Sequence, residues 1–370
     1  MTNPFYFGNE VYEDDFCNRV NELNELKKDI QSGLNVLLYA PRRFGKTSLL
    51  KKLQNDLKKD KDTIVIFFDF FSVSTIEEFI EKYFHEVASN LESSSDKIIN
   101  LFKNILQIRP NITMKISHSG EISYGLSFSK KELDTSFEDV INLPFQYAKK
   151  TGKKVVVIFD EFQEIEQFDM EKKLRTLIQS HSKDVSYIFS GSKKSILSAM
   201  FNDKKRAFYK SVKHNSIKGI SLDDWIEFAT KKFDKTSKKI TNNQIESIYN
   251  ITQGFPYYMQ QLLYTVWEST ESSVEDDTID NSLKLMYERE YDLYAYIFSS
   301  LTPNQKTTLK YIVKNDGVNL YANDNLLDSN LSASTLKSTL ESLMKKDICD
   351  RDKDRYYLCD PFMGYWLTGR

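Results

Sequence analysis

Leu34-Asn35-Val36-Leu37-Leu38-Tyr39-Ala40-Pro41-Arg42-Arg43-Phe44-Gly45-Lys46-Thr47-Ser48 is the stretch whose reading decides the fold. It opens as an apolar run of strand length, Leu34–Tyr39, and turns through Ala40–Gly45. It leaves as a helix, since Leu49, Leu50, Leu53 and Leu57 fall on one stripe of Lys46–Leu57. Strand, glycine-bearing loop and helix in that order aim backbone N–H groups and the positive end of the helix at a bound anion. Ala40 to Thr47 match G-x-x-x-x-G-K-[ST] at every fixed position except the first. In such a loop the N–H groups wrap a β-phosphate, Lys46 adds a point charge toward the β- and γ-phosphates, and the Thr47 hydroxyl ligates magnesium. Pro41, Arg42, Arg43, Phe44, Gly45 and Ser48 complete the expected ATP cradle. Ala40 stands at the first glycine position, where alanine is acceptable if φ stays negative.

The second chemical signal is Val155-Val156-Val157-Ile158-Phe159-Asp160-Glu161, an apolar strand ending in two acids. Beside a phosphate loop, Asp160 is expected in the magnesium shell and Glu161 as the base that polarises water. Two acids that merely end a strand are the alternative. A further strand ends in Phe189-Ser190-Gly191-Ser192, where Ser192 or Ser190 is a candidate to sit between Glu161 and the γ-phosphate. Arg42, Arg43 and Arg206 are the candidate arginines for γ-phosphate contact, against the ordinary role of surface ion pairing.

Outward from these motifs, strand-like and helix-like segments alternate through the first two thirds, the pattern of a parallel sheet with covering helices. Thr63–Phe71, Lys153–Phe159, Val185–Ser190 and Ser216–Ile220 read as further strands. Ile76 to Val87 keep helical spacing behind Ser74 or Thr75 as N-cap. Alternation in Ile112–Phe128 about Ser119-Gly120 predicts an inserted β-hairpin, either a lid over a sheet edge or a docking edge for a partner. Ser221 with Asp224 opens a helix through Phe233, and Lys231–Thr241 breaks the pattern. Gly254 ends a helix over Asn242–Thr252, and Pro256 suits the first turn of the next. The acidic, serine-rich run Glu268–Asp280 reads as a flexible joint. Thr302-Pro303-Asn304-Gln305 is a strong helix start. Helices at Pro303–Lys314 and Ser332–Lys346, then short strands at Ile348–Arg351 and Arg355–Leu358, describe a winged helix.

The chain has 370 residues, formal net charge −2, and no apolar stretch long enough for a transmembrane helix. The N-terminus lacks a basic region followed by an apolar core, and three scattered cysteines fit a reducing compartment. A cytoplasmic protein without a membrane partner is expected.

On these motifs the chain resembles the archaeal-type P-loop ATPases, a group within the STAND and AAA-like proteins. Phe16-Cys17-Asn18-Arg19 with Glu22 and Leu23, Pro41 to Leu49, Phe159-Asp160-Glu161-Phe162-Gln163, Phe189 to Ser192, Gly254-Phe255-Pro256-Tyr257-Tyr258, Leu301 to Gln305 and Asp360-Pro361-Phe362 carry the resemblance. It implies an α/β P-loop NTPase sheet of order 5-1-4-3-2, a helical lid and a C-terminal winged helix. Expected bounds are 1–233 for the core with the hairpin at 112–128, 234–298 for the lid and 299–370 for the winged helix. It further implies that Asn18 and Arg19 lie near the adenine, that Gly254 and Pro256 shape the lid against the nucleotide, and that Lys46, Asp160, Glu161 and Ser192 serve catalysis. Thr47 and Asp160 would be the metal ligands. Lys210 stands after Phe208-Tyr209, where the family usually has an arginine.

Three functions fit: an ATP-hydrolysing switch that engages a protein partner or a second copy, a DNA binder using the winged helix, and a scaffold that binds ATP or ADP and hydrolyses little. From Leu301 to Arg370 the net charge is only +1, and the expected recognition helix carries Glu341 among Lys337, Lys345 and Lys346. That weak basic face favours the switch over DNA.

Overall fold

Val36–Tyr39 forms β1, the lead-in strand, with its first three residues buried. The computed structural model describes residues 2–9, 11, 13–91, 111–116, 122–127, 129–275, 277–322, 324, 326–327, 330–352 and 354–368. Before β1 runs α1 (Val20–Gln31), and after it comes α2 (Lys46–Leu57), which buries Leu49, Leu50 and Leu53 as its stripe predicts. β2 (Thr63–Asp69) and α3 (Ile76–Asn90) follow, with Thr75 accepting the Glu78 N–H as cap. Further on lie α4 (Leu133–Thr151), β5 (Lys154–Asp160), α5 (Glu171–Ser180), β6 (Val185–Gly191), α6 (Lys194–Asn202) and β7 (Lys213–Ser216). The sheet order is β2-β5-β6-β1-β7 and every pairing is parallel. Counting only its own strands, this is the expected 5-1-4-3-2 read from the other edge.

The edge strand differs from the expected Ser216–Ile220. Ile217 and Ile220 are apolar, but the pairing with β1 is made by Lys213–Ser216. Its polar residues are matched from below: buried Asp29 on α1 takes Lys213 Nζ at 2.8 Å and Asn215 Nδ2 at 3.1 Å. An edge strand whose side chains are partly exposed and partly paired with acids of α1, Asp29 and Glu25, has no apolar signature to read.

The inserted hairpin is present as β3 (Asn111–Ile116) against β4 (Ile122–Ser127), with Ile112 opposite Leu126. Its turn at Ser119-Gly120 and Phe128 lie outside the described residues. Tyr124 and Leu126 are buried with the core of the sheet, and the Tyr124 backbone meets His85 of α3. That core is strongly aromatic. Phe68, Phe70, Phe79 and Phe159 meet largely edge to face, the arrangement that ring quadrupoles favour.

Later helices include α7 (Leu222–Lys235), α8 (Asn242–Thr252), α9 (Pro256–Glu268), α10 (Thr278–Ser299), α11 (Pro303–Lys314), α12 (Ala333–Lys345) and α13 (Pro361–Thr368), with β8 (Cys349–Asp352) paired to β9 (Arg355–Leu358). Thr241 with Gln244 and Thr302 with Gln305 form complete capping boxes. Ser221 caps α7 through the Asp224 N–H. Within the expected joint at Glu268–Asp280, Val274 is buried, its N–H bonds to the Lys239 carbonyl, and α10 begins at Thr278.

Two compact units result. One comprises Arg19–Ala40 and Lys46–Lys218; the other comprises Met1–Asn18, Pro41–Gly45 and Gly219–Arg370. Each has its own apolar core. No helix among the described residues is long and apolar enough to cross a membrane.

Candidate functional site

β1, β5 and β6 run side by side, so the parallel sheet brings their carboxyl ends together with the start of α2. The cation there is Lys46, only 6% exposed. Its Nζ donates to Asp160 Oδ1 at 2.6 Å and to Glu161 Oε1 at 2.7 Å. Thr47 Oγ1 donates to Asp160 Oδ2 at 3.0 Å. From β6, Ser190 Oγ reaches Asp160 Oδ1 at 2.6 Å, and Ser192 Oγ reaches Glu161 Oε2 at 3.0 Å. Lys46, Thr47, Asp160, Glu161, Ser190 and Ser192 therefore form one hydrogen-bonded cluster, within a single unit.

The electrostatics follow from this enclosure. Burial pushes the Asp160 carboxyl up, but the Lys46 charge and its hydrogen bond, with Ser190, hold it below its ordinary value. The same contest, burial against Lys46 and Gln163, leaves Glu161 lowered as well. Glu161 has a φ of 48°, left-handed for a residue with a side chain, as the chain leaves β5 for the 3-10 turn Phe162–Phe168.

One acid here was missed from sequence. Asp69 ends β2 in register with Asp160. Burial raises its carboxyl, the Phe71 N–H lowers it, and the nearby charges of Asp160 and Glu161 raise it further. The strand run Thr63–Phe71 hid it, because an acid near the end of an apolar run resembles a turn residue.

The loop itself explains its exception. Ala40 is buried and is not among the residues of positive φ, so a β-carbon costs nothing there. Positive φ falls instead at Arg43 (64°) and Gly45 (78°), a spacing of left-handed residues of the kind found in anion-binding turns. Arg43 is held in that conformation by its own unit. Its carbonyl accepts the Tyr257 N–H at 3.3 Å, in the first turn of α9 behind Pro256. Its guanidinium donates to Asp360 at 2.9 Å and to the Tyr258 hydroxyl, and lies 5.0 Å from the Tyr257 ring centroid. Arg42 pairs with Asp347 at 3.1 Å. Gly254 follows the left-handed Gln253 and has φ 69°; a β-carbon there would lie 2.8 Å from the Tyr249 ring.

The other expected residues have structural partners. Asn18 donates to Asp224, and buried Arg19 donates to Glu22 at 2.9 Å and to the Lys218 carbonyl. Arg206 is clamped between Glu166, at 2.7 Å, and Glu171. Lys210 has φ 51°, and its Nζ lies 5.5 Å from the Tyr209 ring centroid.

The residues fit a nucleotide with a divalent cation. A hydroxyl and a carboxylate 3.0 Å apart make a hard-oxygen set of the kind magnesium takes. A glycine-bearing loop followed in sequence by a lysine at a helix start is the kind of segment that takes phosphate.

A family model described as an ATPase domain predominantly from Archaea matches residues 16–262, and one described as "probable winged helix domain" matches 292–369. An uncharacterized ATP-binding protein of Methanocaldococcus jannaschii is 30% identical over 196 residues, 50% of this chain and 48% of its own length. A second from the same organism is 29% identical over 157 residues, 40% and 38% of the two chains. The chain thus spans about half or less of the curated relatives it matches. Among solved structures, the Walker-type ATPase of Pyrococcus abyssi aligns at TM-score 0.65 and 18% identity over 97% of this chain and 98% of its own. The Aeropyrum pernix ORC2 protein, solved in ADPNP-ADP complexes, aligns at TM-score 0.55 and 13% identity over 98% and 94%. At these identities the likeness is one of fold.

Proposed function

The chain belongs to the family of ATPase domains found predominantly in Archaea, and from that premise we propose that it binds ATP with magnesium at Ala40–Ser48 and hydrolyses it as a nucleotide-dependent switch. The observation that carries this reading is the hydrogen-bonded cluster of Lys46, Thr47, Asp160, Glu161 and Ser192.

Each residue has a part. Loop N–H groups hold phosphate oxygens, and Lys46 leaves its carboxylates to neutralise phosphate charge. Thr47 and Asp160 would hold magnesium, which supplies charge neutralisation when bound. Glu161, freed of Lys46, accepts the proton of the attacking water, and Ser192 links its carboxylate to the end of β6. Asn18 and Arg19 on the adenine side, and Gly254 and Pro256 in a lid, extend the proposed nucleotide site.

The switch rests on Arg42 and Arg43. Both belong to the phosphate loop, and both pair with acids of the C-terminal region, Asp347 and Asp360. Any loop movement that accompanies nucleotide exchange would strain or release those pairs, so the C-terminal region would feel the state of the loop. A protein partner reading that region is the final element of the proposal.

Steady-state ATP hydrolysis with bound nucleotide assayed after denaturation tests it. Lys46→Ala should lose nucleotide, and Glu161→Gln should retain ATP while kcat falls by about 10²–10⁴-fold. Wild-type turnover in Glu161→Gln would remove the base. Strong duplex DNA binding by the wild type would replace the protein partner with nucleic acid.

A further inference from the structure

Glu161 is gripped from two sides. Its Oε1 takes Lys46 Nζ, while Oε2 takes Gln163 Nε2 at 2.6 Å and Ser192 Oγ at 3.0 Å. A base must keep one oxygen open for the proton it removes. Lys46 is the donor a triphosphate draws away, so Oε1 is the oxygen that opens. From the grip on the other oxygen we infer that Gln163 is a positioning residue for Glu161, fixing the carboxylate so that Oε1 is its single free acceptor. This rests on the hydrolytic reading given above.

The Gln163 amide has one usable orientation. It is buried, and its Nε2 faces the carboxylates of Glu161 and, at 3.5 Å, Glu164. Its Oε1 is buried with no hydrogen-bond partner among the described residues. A flipped amide would set oxygen against carboxylate oxygens, which accept only. Buried acceptors are nearly always paired, so one left unpaired calls for a reason. Here the reason is the donor at the other end of the same amide.

The space for that amide comes from Gly191. A β-carbon there would lie 2.0 Å from Gln163 Oε1, with the flexible end of Leu197 next at 2.9 Å. Gly191 does not bond to Glu161, yet any side chain at 191 would displace the group that does.

Gln163→Met keeps length and packing and removes the donor. It should lower kcat about tenfold, equivalent to about 1.4 kcal/mol and the size of one hydrogen bond to a charged group. ATP affinity should stay at wild type, and the melting temperature should fall by only a few degrees, the loss of one hydrogen bond. Gln163→Glu keeps the shape but sets charge against charge, and should lower kcat further. Gly191→Ala should reproduce the loss in wild type and add little on top of Gln163→Met, because the two act through one contact. Wild-type kcat in both Gln163 variants, or losses that merely track falling melting temperature and ATP affinity, would overturn the inference.

Glu161→Gln in the same series separates the two levels of the argument. If it turns over like wild type, the base assignment fails first and Gln163 falls with it. A thermal-unfolding cycle between Gln163→Met and Glu161→Ala reads the contact without turnover; additive shifts would overturn it.

Discussion

Lys46→Ala should destabilise the nucleotide-free protein as well as abolish nucleotide binding. Lys46, Asp160 and Glu161 have side-chain exposures of 6%, 5% and 23%, so the ion pairs are largely out of water. Removing one partner of a buried pair costs about 3–5 kcal/mol, because the other charge is left uncompensated. The low end applies, since Asp160 keeps Ser190, Thr47 and the Glu161 N–H, and Glu161 keeps Gln163 and Ser192. About 3 kcal/mol in a unit of roughly 200 residues corresponds to a fall of about 6–12 °C in melting temperature. The assay is thermal unfolding by circular dichroism, without nucleotide, with and without magnesium chloride. Asp160 and Glu161 have lowered carboxyls in the native protein, so their pairing with Lys46 stabilises above the unfolded values and is lost as pH falls. The gap between wild type and variant should therefore be widest near neutrality and close below about pH 4. Magnesium should stabilise the variant more than the wild type, since it no longer competes with an internal cation. A variant that melts with the wild type at neutral pH would refute the claim that Lys46 neutralises this site.

Two further outcomes follow from other contacts. Asp360 Oδ1 caps α13 through the Phe362 N–H at 3.0 Å, while Oδ2 takes Arg43. Asp360→Asn keeps a good cap and loses the ion pair, so nucleotide affinity by fluorescence titration should fall about fivefold, the equivalent of about 1 kcal/mol for a partly exposed pair. Asp360→Ala should lose about 1 kcal/mol more in urea unfolding, from the cap. Separately, buried His181 bonds to Tyr187 and Asn142, and burial pushes its pKa down to about 4. Its folded value lies below the unfolded 6.5, so the stability it contributes is intact above pH 6.5 and lost down to about pH 4, in total about 3 kcal/mol. His181→Gln, which cannot titrate, should flatten urea-unfolding stability across that window; an unchanged slope would refute it.

What the sequence made legible is what short-range chemistry dictates. The apolar run into Lys46-Thr47 and the run into Asp160-Glu161 each announce a strand and its terminal group within ten residues, and the strand order places them together. The capping boxes at Thr241 and Thr302 are readable for the same reason. What stayed hidden depends on distant partners. β7 is polar because Asp29, on another element, satisfies it. Asp69 gains its place only through register with β5, and Gln163 only because Gly191 leaves a gap. Arg42 and Arg43 read as phosphate-facing candidates, yet their carboxylate partners lie roughly three hundred residues on.

The charge at the site explains why these hidden contacts matter. Asp69, Asp160 and Glu161 gather at adjacent strand ends, and the buried cation bonded to the latter two is Lys46. Such a site is acidic at rest, and a triphosphate adds more negative charge. On the proposed function, binding would move Lys46 from carboxylate to phosphate, and the acids it leaves would have to be compensated by other means. Donors on the acids supply part of this: Ser190 and Thr47 on Asp160, Gln163 and Ser192 on Glu161. A divalent cation held by Thr47 and Asp160 would supply the rest. Without the neutral donors, moving Lys46 would expose two buried carboxylates to each other at several kcal/mol. On the proposed function, these serine, threonine and glutamine donors would be what lets the lysine leave, and so the energetic condition for the proposed switch.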